Sequence, residues 1–115
     1  MSTFTVTGNL TSAPELRFTP NGKAVANFTV AENRKRGEDD VTHFFDCVAW
    51  DTLAENCAES LERGTRVVVT GRMEQRSWTA DDGGKRSKLE VVADEVAPSL
   101  RWATASVTKN ERKQP

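Results

Sequence analysis

The strand-then-helix stretch Thr42–Gly64, THFFDCVAWDTLAENCAESLERG, restricts the fold more than any other part of the chain. Alternation over Thr42–Trp50 puts Phe44, Asp46, Val48 and Trp50 on one face, and His43, Phe45, Cys47 and Ala49 on the other. The second set, with Phe45, Cys47 and Ala49, suits a core. The first combines two aromatics, Phe44 and Trp50, with a carboxylate between them. An aromatic at each end of an exposed strand face is what a platform for stacking bases requires. A short helix follows at once. Thr52 and Glu55 stand at capping-box spacing, and Leu53, Cys57 and Leu61, with Ala54 and Ala58 beside them, make one apolar stripe. Arg63-Gly64 supplies a C-terminal charge and a stop. A helix of this length between strands is suited to plugging the end of a small barrel.

The rest of the chain reads as strands. Thr3–Leu10 alternates, with Phe4 and Val6 opposite Thr3, Thr5 and Thr7, and Gly8 marks a bulge or sharp bend. Glu15–Thr19 is a short extended piece, and Pro20-Asn21-Gly22 is a turn. Ala24–Val30 directs Ala24, Ala26, Phe28 and Val30 inward. Glu32–Val41 is polar and charged, which predicts a mobile hairpin loop. Arg66–Trp78 directs Val67, Val69, Gly71 and Met73 one way and Val68, Thr70, Arg72, Glu74, Arg76 and Trp78 the other. Asp82-Gly83-Gly84 turns the chain into Lys88–Val96, with Leu89, Val91 and Ala93 inward. Leu100–Val107 alternates weakly and is expected as one more strand. The domain boundaries expected are therefore 1–107 for the barrel with its extension and 108–115 for a short, basic, disordered tail. The order of three strands, a short helix and a further hairpin predicts an all-β chain with an OB-fold, a five-stranded, partly open Greek-key barrel.

Composition narrows the function. A chain of 115 residues with 37% hydrophobic content suggests one domain and one small core. No apolar run approaches a membrane span and Met1–Leu10 does not read as a secretory signal, so a cytoplasmic protein with no membrane partner is expected. The net charge of −1 argues against coating nucleic acid by bulk charge, but the charges are segregated and segregated cations can line a groove. Arg34-Lys35-Arg36 lies in one hairpin; Lys85, Arg86 and Lys88 lie around the other; Arg72 and Arg76 share a strand face with Trp78. These eight are the candidate phosphate contacts, and Lys109, Arg112 and Lys113 are weaker ones. Two cysteines, Cys47 and Cys57, read as reduced, buried thiols, with a disulfide as the alternative. One histidine and no close cysteine pair leave no metal site, and neither a cofactor nor an enzyme is expected. Asp46, Cys47 and His43 do not make a catalytic set, because strand parity separates Asp46 from the other two.

The segments Val6-Thr7-Gly8-Asn9-Leu10, Pro14-Glu15-Leu16-Arg17, Pro20-Asn21-Gly22, Ala24-Val25-Ala26-Asn27-Phe28, Phe44 to Trp50 with Leu53-Ala54-Glu55, Arg63-Gly64, Val69, Gly71, Arg76 and Trp78-Thr79 follow in one order. In that order the chain resembles the bacterial single-stranded DNA-binding protein family over about residues 3–97. Ala97–Val107 looks like the extension of the actinobacterial branch, where an extra strand helps clasp subunits. The resemblance implies a homotetramer that binds single-stranded DNA and serves replication, recombination and repair. It implies stacking on Phe44, Trp50 and Trp78, and a subunit contact at Trp102. A fourth family aromatic falls near Arg36, and family members often carry a basic residue where Asp46 stands. The family's long linker and acidic tip are not in this sequence, so recruitment of other proteins through an acidic tail is not expected; a truncated chain and a specialised paralogue are the two explanations.

Two alternatives stay open on the residues. One is RNA binding on the same fold. The other is an OB-fold assembly or scaffold protein that binds nucleic acid weakly, to which Asp46 and the net charge lend weight.

Overall fold

The computed structural model describes residues 3–111. The expected Arg112 and Lys113 contacts, and the end of the expected tail, lie outside the described residues. Six strands and one helix follow in the order β1 (Phe4–Leu10), β2 (Glu15–Phe18), β3 (Ala24–Arg36), β4 (Asp39–Trp50), α1 (Asp51–Ser60), β5 (Arg66–Thr79) and β6 (Lys85–Pro98). Strands β1, β5, β6, β4 and β3 close into a ring, because β1 pairs with both β5 and β3. Strand β2 pairs only with β3 and stands outside it. The β4–β6 pairing is parallel and the others antiparallel. The five-stranded barrel with one short helix is the OB architecture expected from the sequence.

The inward residues are those that alternation selects. Val6, Ala26, Phe28, Val30, Cys47, Ala49, Val67, Val69, Val91 and Ala93 are buried together, with Ala54, Cys57 and Leu61 closing one end from α1 and the turn after it. Closure of so small a ring brings backbones close. A Cβ on Gly8 would collide with the Ala31 carbonyl, and one on Gly71 with the Val92 carbonyl. Gly8 sits just before Asn9, where β1 is still paired with β5 and takes up its pairing with β3. Gly71 sits where β6 carries an extra residue, Asp94, between the partners of Thr70 and Gly71. Each glycine is therefore a requirement of backbone approach at a barrel corner.

Several expectations are corrected. The polar run Glu32–Val41 is not a loop: β3 continues to Arg36 and β4 starts at Asp39, leaving only Gly37 and Glu38 between. Gly37 takes a left-handed φ of 67°, as a two-residue hairpin turn favours. Polarity misled because both sides of this arm lie beyond the barrel, where neither is buried. No capping box forms. The helix begins at Asp51, and its cap, Trp50, makes no side-chain hydrogen bond. The chain turns from strand to helix through a left-handed Asp51, φ 59°, a conformation aspartate tolerates better than most residues. The helix also stops before Arg63-Gly64, since Leu61 takes an extended conformation and buries its side chain in the core.

Leu89 keeps its inward parity but is exposed, because the β5–β6 hairpin has left the barrel by that point. Val48, on the outer face of β4, is buried against Val25 and Val92. Leu100–Val107 forms no strand; the strand outside the ring is β2. Residues 99–111 instead run over the surface past the end of α1. They are tied by a reciprocal amide pair between Asn56 and Asn110, at 3.0 and 3.1 Å.

Candidate nucleic-acid interface

The outer face of β4 carries Phe44, Asp46, Val48 and Trp50 in alternation. Their register partners on β3 are Ala31, Thr29, Asn27 and Val25. The partners are small or polar, so the aromatic rings stand above the sheet. Phe44 is 66% exposed and Trp50 40%. Between them, Val25, Val48 and Val92 form a small apolar floor. Strand β6 continues this face on the other side of β4, since Val48 and Val92 are paired in parallel. From Val92 the same side of β6 runs outward through Glu90, Lys88 and Arg86. Opposite them on β5 lie Arg72, Glu74, Arg76 and Trp78. Trp78 is 47% exposed and faces Arg86 across the hairpin. The three aromatics expected to stack thus lie on one continuous face, two on β4 and one on the β5–β6 arm.

Strand parity divides the expected phosphate contacts. Lys35, Arg72, Arg76, Arg86 and Lys88 share the aromatic side. Arg34 and Arg36 lie on the other side of the β3–β4 arm. Arg34 is paired with Glu32 at 2.9 Å and lines a shallow hollow with Thr7, Asn9 and Arg66. Lys85 faces Thr79, on the side of its hairpin away from Trp78. The basic triplet reads as a unit in sequence, but alternation splits it once the strand runs through it.

Most of these cations carry a carboxylate partner. Lys88 Nζ lies 3.4 Å from Asp46 Oδ2, and Arg76 Nη1 lies 3.5 Å from Glu90 Oε1. Arg72 pairs with Glu74 at 2.7 Å, and Arg86 with Asp82 at 2.9 Å. Asp46 also accepts a hydrogen bond from the Thr29 hydroxyl at 2.8 Å. Glu90 is only 5% exposed. Sequence reasoning passed over it, although its alternation with Lys88 and Arg86 places it on this face. Its burial carries no sequence signal, because the neighbours that cover it come from other strands.

Beneath this face, both cysteines are free and buried. Burial, with the charges of Asp46 and Glu90 adding, pushes the Cys47 thiol up to about 12; burial pushes Cys57 up to about 11. Neither is a nucleophile at neutral pH. Among the described residues, no histidine, cysteine or carboxylate cluster could hold a metal ion.

Trp102 lies away from the Phe44–Trp50–Trp78 face. Its ring covers the Arg66 guanidinium at 4.7 Å and sits 5.1 Å from that of Arg101, yet it remains 73% exposed. Arg66 Nε is buried with no hydrogen-bond partner among the described residues, so the π-face of Trp102 is the contact its charge receives.

A sequence model of the single-strand binding protein family matches residues 1–99. The single-stranded DNA-binding protein of Mycolicibacterium smegmatis is 55% identical over 118 residues, covering 96% of this chain and 72% of that protein. The protein of the same name from Mycobacterium tuberculosis is 53% identical with the same coverage. That from Paenarthrobacter aurescens is 50% identical, over 96% of this chain and 69% of its own.

Proposed function

The chain belongs to the single-strand binding protein family, and from that premise we propose that it binds single-stranded DNA across the Phe44–Trp50–Trp78 face. The observation that carries this reading is the exposure of the three rings on one surface that also bears Arg72, Arg76, Arg86 and Lys88. Bases stack on the rings and the cations follow the phosphates. Every base has a π-face, so binding is largely sequence-tolerant, and each stacked base contributes about 1–3 kcal/mol. The family is one of binding proteins, and the chain acts by binding rather than by catalysis. Its cellular work is to cover exposed single strands during replication, recombination or repair, in the cytoplasm at the nucleoid.

The binding unit is a homotetramer, with residues 99–111 and Trp102 reaching a neighbouring subunit. Two features support this: the segment leaves the barrel without joining a strand ladder of its own chain, and Trp102 keeps most of its surface exposed.

The test is a titration of oligo-dT into the protein, followed by tryptophan fluorescence. The chain has three tryptophans and no tyrosine, so the emission reports Trp50, Trp78 and Trp102 alone. Salt-sensitive quenching is expected, and the Phe44→Ala/Trp78→Ala double variant should bind at least tenfold more weakly. A double variant that binds as the parent does would favour the scaffold reading, to which the net charge of −1 and the paired cations lend weight. The same titration with a matched RNA oligonucleotide separates DNA from RNA as the preferred strand.

A further inference from the structure

The stacking face brings its own anions. Asp46 and Glu90 each stand one residue before a member of the pair Cys47–Val91, which is in parallel register. They therefore occupy neighbouring positions on the outer face, between Phe44 and Trp50 on one side and Trp78 on the other. Like charges so placed need cations, and the face supplies them from its own surface: Lys88 to Asp46, and Arg76 to Glu90.

These two pairs differ from the others nearby. Glu74 is on an exposed side chain that can turn into water and release Arg72 at little cost, and Asp82, though held by the Gly84 amide at 2.8 Å, is two-thirds exposed in the hairpin turn beyond the aromatic strip, where its pair with Arg86 is screened by water. Glu90 is buried and has no such freedom, because an uncompensated buried carboxylate is costly. Asp46 is half exposed but pinned by the Thr29 hydroxyl. Lys88 and Arg76, by contrast, keep roughly half of their side-chain surface exposed. The carboxylates are fixed and the cations are free to reach.

Resting on the proposed binding function, we propose that Asp46 and Glu90 set the affinity of this face for single strands, by holding Lys88 and Arg76 as internal counterions that backbone phosphates must win. Binding is then an exchange of partners, not a simple neutralisation. Two consequences follow. Affinity is lower than the rings and cations alone would provide. The salt dependence is also shallower than the number of cations implies, because a cation that keeps a carboxylate partner adds little net charge against a phosphate. For single strands each neutralised phosphate contributes about −0.7 to the log–log slope.

The experiment measures the dissociation constant for oligo-dT over a range of salt with the parent, Asp46→Asn, Glu90→Gln and the double variant. An asparagine at position 46 keeps an acceptor for Thr29 while removing the charge that holds Lys88. Each single variant should bind about two- to fivefold more tightly at low salt, the scale of one partly exposed ion pair. Each slope should steepen by up to about 0.7. Thermal unfolding is recorded alongside, and Asp46→Asn alone decides the matter if Glu90→Gln does not fold. Unchanged or weaker binding by a variant that unfolds like the parent overturns the proposal. So does tighter binding with an unchanged slope, since a merely structural effect would leave the slope alone. A parent that binds no oligonucleotide removes the binding function and this proposal with it, whereas a binding parent with unaltered variants removes the proposal alone.

Discussion

At the scale of single residues, the two thiols show how burial decides chemistry. Cys47 and Cys57 have the same side chain as a reactive cysteine, yet their protons are held because a thiolate in the core would lose its hydration. A folded-state value above the ordinary 9.0 means that the folded chain keeps protons the unfolded chain gives up. The resulting stabilisation is complete below pH 9 and is lost as pH rises toward about 11 and about 12. Urea unfolding from pH 8 to about pH 11 should therefore show stability falling with pH in the parent. The alkaline fall should be flatter in Cys47→Ala/Cys57→Ala, although that variant starts less stable at pH 8 because of the volume it loses. Equal slopes in the two proteins would mean that other groups carry the alkaline limb. The same burial predicts that a thiol reagent reacts with neither cysteine until the chain unfolds.

At the scale of elements, strand β4 and its continuation into α1 do what their alternation indicates. Cys47 and Ala49 enter the core while Phe44 and Trp50 stay out. What alternation could not supply was the extent of the β3–β4 arm. Glu32–Val41 has no buried side, so no period of two in hydrophobicity marks it and its charge reads as loop, whereas the β5–β6 arm is legible as a hairpin from the strand Arg66–Trp78 and the turn Asp82-Gly83-Gly84. The strand character of Glu32–Val41 comes from cross-strand pairing, as between Asn33 and Thr42 at 2.8 Å. The glycines at barrel corners were legible as irregularities, but their reason was not. Gly8→Ala forces a methyl group into the Ala31 carbonyl beside the β1–β3 closure. It should destabilise the chain by about 1–3 kcal/mol, read as a lower urea midpoint at unchanged m-value. An unaffected midpoint would mean that the closure between β1 and β3 is looser than its geometry.

At the scale of the whole molecule, the barrel is complete in one chain while residues 99–111 are not folded into it. The segment is held to its own barrel by the Asn56–Asn110 amides and by Trp102 over Arg66. Exposed amide hydrogen bonds and one cation–π contact are modest anchors, worth about 1 kcal/mol each. Light scattering should give a tetramer at micromolar concentration, and Trp102→Ala should shift the population to smaller species without lowering the barrel's own unfolding midpoint. A monomeric parent would contradict the role of this segment in assembly.

Alternating apolar residues at Ala24–Val30, Cys47–Ala49 and Val67–Val69, the strand-to-helix junction at Trp50, and the turn glycines determined the barrel by themselves. Burial of one strand face is a local, periodic property, and it can be read without knowing the partner strand. The exposed aromatics Phe44, Trp50 and Trp78 were legible for the same reason. Only the tertiary structure decided which cations stand with them. It sent Lys35 to the aromatic side and Arg34 and Arg36 to the other, by running a strand through the triplet. It also brought Glu90 beside Asp46, by a parallel pairing between residues more than forty positions apart in the chain. Electrostatic neighbours across strands depend on register, and register is settled by closure of the whole ring.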